Sequence, residues 1–205
     1  MLAESERQVR KCARPDNAGG IEGNVTHTRA PLQSCQRILV LGSGGSGKST
    51  LARQLGDRLG LPVIHLDIHY WSYGWKPTPE AEWQARVQQL VQGEHWVMDG
   101  NFSGSLAIRL SRCDAAVFLD VSRWVCLRSV LTRWLRYRFA QRLDLPEGCP
   151  ESIDLDFLSW VWNFPERSRP KVLAELERAR QGVELLHLTR RAQTRELLTA
   201  LRARD

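Results

Sequence analysis

The chain has 205 residues, enough for one domain with a sizeable core, and its 42% hydrophobic and 25% charged residues exclude a disordered chain. Its net charge of +6 rests on 25 arginines and only 4 lysines, and no apolar run approaches the ~18 residues of a membrane span. Its five cysteines (12, 35, 113, 126 and 149) are odd in number and show no CxxC pairing, which argues against a disulfide framework and a zinc site.

In chain order, residues 1–35 have no sustained apolar period and carry Pro15, Gly19, Gly20, Gly23 and Pro31; they read as a flexible extension. The opening twenty residues lack the apolar centre of a signal peptide, so the cytoplasm is the expected location. Residues 36–205 read as the folded domain. RILVLG is a short apolar run ending in glycine, and a helical pattern follows in SGKSTLARQLGDRLG, which Gly60 can close. LPVIHLD, HWVMDG, AAVFLD and GVELLHL repeat the same kind of run, with helical stretches between them. Strand–helix alternation of this kind predicts an α/β fold with a mainly parallel sheet and helices on both faces. Ligands in such sheets collect at the carboxyl ends of the strands, where Asp67, Asp99, Asp120 and the glycines after Leu41 are expected.

Gly42-Ser43-Gly44-Gly45-Ser46-Gly47-Lys48-Ser49 matches GxxxxGK[ST] in full, between a predicted strand and a predicted helix. Glycines let consecutive backbone N–H groups turn inward on a phosphate, and the helix N-terminus adds partial positive charge. Gly42 to Thr50 is therefore the predicted ATP-binding segment, with Lys48 on the β- and γ-phosphates and Ser49 on Mg²⁺. A second acid is needed for the metal shell. Asp99 is the first choice, because Gly100 and Asn101 behind it suggest close backbone approach to a ligand. Asp120 comes second and reads better as a helix cap.

Residues 123–142, RWVCLRSVLTRWLRYRFAQR, hold six arginines and no acid. They fit either a solvated helix face or a polyanion site. Trp124, Leu127, Leu131 and Trp134 fall on one helical face, which is the predicted buried side. Arg128, Arg133 and Arg136 are spread over the remainder. LDIHYWSYGW, residues 66–75, sets Asp67 and His69 before four aromatics, a composition suited to neither a buried strand nor a plain loop.

Together, LGSGGSGKSTLARQLGDRLGLPVIHLDIHYW, WVMDGNFSGSLAIRL, DAAVFLDVSRWVCLRSVLTRWLRYR and FLSWVWNFPERSRP resemble the DNA topology modulation proteins. These belong to the adenylate-kinase-like branch of nucleoside and nucleotide kinases, and the resemblance spans about residues 37–190. It implies a P-loop kinase fold with a five-stranded parallel sheet in the order 2-3-1-4-5 and a small helical lid at about 136–170. It also implies ATP and Mg²⁺ as cofactors and a small-molecule phosphoryl acceptor of nucleoside or nucleotide type. By the same resemblance, Asp67 ends the second strand and orients or deprotonates the acceptor hydroxyl. The neighbouring aromatics, Trp71 among them, would form a stacking wall, with His69, Asn101 and Arg109 as further acceptor-side residues. Arg133 and Arg136 would enter the lid and stabilise the transferring group, and Arg167 and Arg169 could close from the far side. Asn101-Phe102 stands where adenylate kinase has Phe-Pro-Arg, which sets this chain apart from that enzyme and from AMP as the acceptor. The alternative reading is an ATP-switched regulator touching DNA through the arginine helix. No DNA-reading motif is apparent, so specific DNA binding is not expected.

Overall fold

The computed structural model describes residues 32–137, 145–146, 148–149 and 155–201. Most of the extension, residues 1–31, lies outside them, as do parts of the lid region. The five apolar runs are strands: β1 (Arg37–Gly42), β2 (Val63–His65), β5 (Trp96–Asp99), β6 (Ala115–Leu119) and β7 (Glu184–Leu188). They form one all-parallel sheet in the order β2-β5-β1-β6-β7, which is 2-3-1-4-5 when only these strands are counted. The predicted fold and strand order are thus met.

The middle strands β5, β1 and β6 are buried almost throughout, as strands covered on both faces must be. Alternation along β1 divides the core in two. Ile38 and Val40 point to one face, where Leu51, Leu55 and Leu59 of α1 (Lys48–Leu59) pack with Leu197 and Leu198 of α8 (Arg191–Ala200). Leu39 and Leu41 point to the other. There they meet Trp83 and Val87 of α3 (Glu80–Leu90), Leu106 of α4 (Leu106–Leu110), Phe164 of α6 (Leu155–Arg167) and Leu176 of α7 (Arg169–Ala179).

Three expectations need correction. Leu32 and Cys35, assigned to the extension, are fully buried beside β1 and α1, so the folded domain begins by Leu32. The second strand stops at His65 and Asp67 does not end it: the chain turns at once into the short helix α2 (Leu66–Tyr70). In α5 (Arg123–Tyr137) the buried residues are Cys126 and Val130, while Trp124 is 68% and Leu131 43% exposed. The helix turns its smaller side chains inward because Gly45 of the 42–49 loop, described below, packs against Cys126 and Val130.

Candidate active site

Gly42, Gly45 and Gly47 have φ of 149°, 76° and 100°. At Gly45 and Gly47 this is left-handed backbone, which a side chain would strain. The loop turns on them into Lys48, the first residue of α1, so a phosphate in its curve would meet the helix N-terminus. Ser46 Oγ is buried without a protein hydrogen-bond partner, a donor suited to a ligand oxygen. The loop is walled from outside. A Cβ on Gly44 would lie 2.6 Å from Phe157 of α6, and one on Gly45 would collide with the Cys126 carbonyl of α5.

Asp99 closes β5, 3% exposed. Ser49 Oγ donates to its Oδ2 at 2.6 Å, and His65 Nδ1 donates to its Oδ1 at 2.5 Å. A hydroxyl and a carboxylate in contact at the start of α1 are hard oxygen donors fit for Mg²⁺. Asp120, the second candidate, is engaged elsewhere. Its Oδ2 accepts from Arg169 Nε and His187 Nε2, both at 2.7 Å. Burial pushes its pKa up, but the His187 and Arg169 hydrogen bonds prevail and hold it below the ordinary carboxylate range. Arg169, proposed to close over the site, thereby ties the start of α7 to the sheet.

Residues Asp99–Phe102 form the loop facing the cradle. Asn101, expected on the acceptor side, turns its side-chain amide onto Gly42. Its Nδ2 donates to the Gly42 carbonyl at 2.7 Å and its Oδ1 accepts from Gly42 N–H at 3.0 Å. Arg109, the other acceptor-side candidate on this segment, is fully buried in α4 and donates to backbone carbonyls of the same loop.

The acceptor-side segment is a helical turn followed by a hairpin, β3 (Trp71–Ser72) against β4 (Lys76–Pro77). Asp67 is half-buried in the first turn of α2. His69, in the last turn, has its pKa lowered by burial and then by Arg86, whose guanidinium donates to the His69 carbonyl at 2.5 Å. Tyr70 packs into the core against Trp83 (5.0 Å) and Phe102 (4.6 Å). Trp71 makes edge contacts with Tyr70 (4.8 Å) and Trp75 (5.6 Å). The aromatics are therefore divided: Tyr70 serves the core, while Trp71 and Trp75 build the hairpin wall. Two described residues of the segment expected to form a lid, Gly148 and Cys149, reach this wall, where Gly74 N–H donates to the Gly148 carbonyl at 3.2 Å and Cys149 Sγ lies 3.2 Å from the Ser72 carbonyl.

Arg133 is half-buried and shares its side of α5 with Cys126 and Val130, the residues that back the cradle; Arg136 is exposed. Arg123 lies 4.9 Å from the Trp162 ring centre and pairs with Glu166, and Arg167 is exposed at the end of α6.

No family model and no curated protein sequence matches the chain. Among solved structures it is similar to shikimate kinase from Acinetobacter baumannii in complex with shikimate, at 17% identity and TM-score 0.51, over 82% of this chain and 91% of that one. The chain has the fold of a P-loop kinase. Deoxyadenosine kinase from M. mycoides with bound dCTP is also similar, at 11% identity and TM-score 0.45, over 80% and 96% of the two chains. Within this P-loop kinase fold, sequence reasoning missed His65, although it stands two residues before Asp67 at the end of an apolar run. It also left no place for the Asn101–Gly42 clamp, whose partner is backbone and leaves no mark in sequence. Among the described residues no helix is long and apolar enough to cross a membrane.

Proposed function

We propose that the protein is an ATP- and Mg²⁺-dependent phosphotransferase of the adenylate-kinase-like class, acting on a small nucleoside- or nucleotide-type acceptor. We also propose, from the sequence resemblance over about residues 37–190, that it is related to the DNA topology modulation proteins. The observation that carries this reading is the Ser49–Asp99 contact of 2.6 Å beside Lys48 and the glycine loop. Phosphate cradle, lysine and a pair of oxygen donors stand together where a P-loop enzyme needs them.

In this reading Gly42–Thr50 holds the ATP phosphates, and Lys48 places its charge at the β- and γ-groups. Ser49 and Asp99 would hold Mg²⁺, which when bound would supply positive charge to the phosphate oxygens. Asp67 takes the proton of the acceptor hydroxyl as its oxygen bonds to the γ-phosphorus and the bond to the β-phosphate oxygen breaks, leaving ADP. Arg133, on the cradle side of α5, supplies positive charge to the transferring group, a role worth roughly 10³- to 10⁵-fold in rate. Arg136 and Arg167 would join it from the exposed side. Trp71, with His69, offers the acceptor a stacking surface.

The DNA-contacting alternative gains little from the geometry. Arg133 is half-buried on the Cys126–Val130 side of α5 and Arg123 is held by Glu166 and Trp162, so the arginines of α5 do not form one basic face. Titration calorimetry with a non-hydrolysable ATP analogue and Mg²⁺ tests the first half of the proposal. A thermal-shift screen of nucleosides, nucleotides, sugars and shikimate with that analogue present tests the second. Absence of Mg²⁺-dependent nucleotide binding sinks the kinase reading.

A further inference from the structure

Arg109 is a long cation with no solvent exposure, and among the described residues no carboxylate contacts it. Burying such a charge is costly unless every donor is used. Arg109 spends its donors on one short stretch of backbone. Nη1 donates to the Gly100 carbonyl at 2.8 Å, and Nη2 donates to the Phe102 carbonyl at 3.0 Å and also to that of Asn101. Nε donates to the Ser105 carbonyl at 3.3 Å. Three successive carbonyls turned toward one guanidinium require unusual backbone. Gly100 has φ 136°, and Phe102 takes a left-handed φ of 33° that an aromatic residue avoids. The planar fork of arginine matches such a set of acceptors, and a lysine ammonium does not. Burial pulls the Arg109 pKa down to about 9, which leaves it charged at neutral pH.

The stretch it gathers is the one that meets the cradle. Asn101 sits between the two carbonyls at Gly100 and Phe102, and its side-chain amide grips both backbone groups of Gly42. Gly42 N–H, at the end of β1, is thus satisfied by a side chain whose placement depends on Arg109. Asp99, the partner of Ser49, immediately precedes the same stretch.

We propose that Arg109 is a positioning residue of the nucleotide cradle, acting through the Gly100–Phe102 carbonyls and Asn101 to fix the first residue of the glycine loop. This deepens the nucleotide reading above and rests on it only for the ligand. Its role is at the donor nucleotide and not at the acceptor.

Amide hydrogen exchange of the ¹⁵N-labelled full chain without ligand reads the linkage directly at Gly42. Arg109→Met and Asn101→Ala should each quicken Gly42 exchange by about tenfold, the loss of roughly one hydrogen bond. The double variant should be no faster than either single one. Arg109→Lys, which keeps the charge and removes the fork, should fall between wild type and Arg109→Met, and it provides a folded variant if the methionine protein is unstable. Binding of the non-hydrolysable ATP analogue should weaken by about tenfold in the same non-additive way. The proposal is overturned if Gly42 exchanges at the wild-type rate in Arg109→Lys and Arg109→Met. It is equally overturned if amides across β1, β5 and β6 quicken together with Gly42, since that is general loosening of the sheet. A wild-type protein that does not bind the analogue refutes the nucleotide reading, while Gly42 exchange still decides the role of Arg109.

Discussion

His65 and Asp99 are the last paired residues of the β2–β5 ladder, and their side chains meet there at 2.5 Å. The imidazole holds one carboxylate oxygen while Ser49 holds the other, so Asp99 has little freedom to rotate. A carboxylate fixed in this way meets a metal ion without first being ordered. His65→Ala should raise the Mg²⁺ concentration needed for half-maximal nucleotide binding by about 10- to 100-fold. Titration of the ATP analogue at stepped Mg²⁺ concentrations measures it; an unchanged Mg²⁺ requirement would remove His65 from the site.

Asp67 and Lys48 should separate cleanly. Asp67→Asn keeps shape and removes the charge that accepts a proton, so phosphoryl transfer should fall by at least about 10²-fold. Affinity for ATP–Mg²⁺, which rests on the cradle, should change by less than about threefold. Lys48→Ala should damage both. Single-turnover kinetics together with calorimetry tell the two apart, and an Asp67→Asn protein that transfers at the wild-type rate clears Asp67 of the role.

The start of the domain can be tested by stability. Leu32 is fully buried against the α1 side of the core, and Leu32→Ala should cost about 2 to 5 kcal/mol of unfolding free energy in a denaturant titration. Removal of residues 1–31, whose sequence has no apolar period, should shift the melting temperature by no more than about 2 °C.

Asp114 gives the fold an acid-sensitive joint at the foot of β1. Its Oδ2 accepts from the Gln36 and Arg37 backbone N–H groups at 2.9 and 2.8 Å, and its Oδ1 accepts from Arg37 Nη2 at 2.9 Å. Burial pushes its pKa up, but these hydrogen bonds prevail and hold it below the ordinary value. A carboxyl with a depressed native pKa contributes stability that is complete above the unfolded value of about 3.9 and is lost as pH falls through the native one. Asp114→Asn should therefore be less stable than wild type at pH 7, with the gap narrowing as pH drops below about 4. Parallel unfolding curves for the two proteins across that range would contradict it.

The five strands were legible because continuous apolar runs bounded by Gly or Asp suit strands covered on both faces. Their order came from the resemblance, since no local pattern records which strands pair. The phosphate cradle was legible because its chemistry demands particular residue types at fixed spacing. Asp67 was misplaced because Leu66, fully buried, continues the apolar run of β2 while the backbone has already turned into α2. The inward face of α5 was misread because counting apolar residues favours Trp124 and Leu131, whereas the space beside the loop admits only Cys126 and Val130. Asn101 and Arg109 were expected on the acceptor side, and nothing in the sequence marked their contacts because their partners are backbone carbonyls and an N–H, which any residue could supply.

Gly44 and Gly45 occupy places that the generic GxxxxGK[ST] pattern leaves blank. Here the blanks are filled by the neighbours: a methyl group at Gly44 would have to displace the Phe157 ring, and one at Gly45 would collide with the Cys126 carbonyl. Each glycine answers to a different helix, Gly45 to α5 and Gly44 to α6. The wildcards of the motif therefore record how α5 and α6 are seated on the loop, and a substitution there that spares every phosphate contact still disturbs a helix.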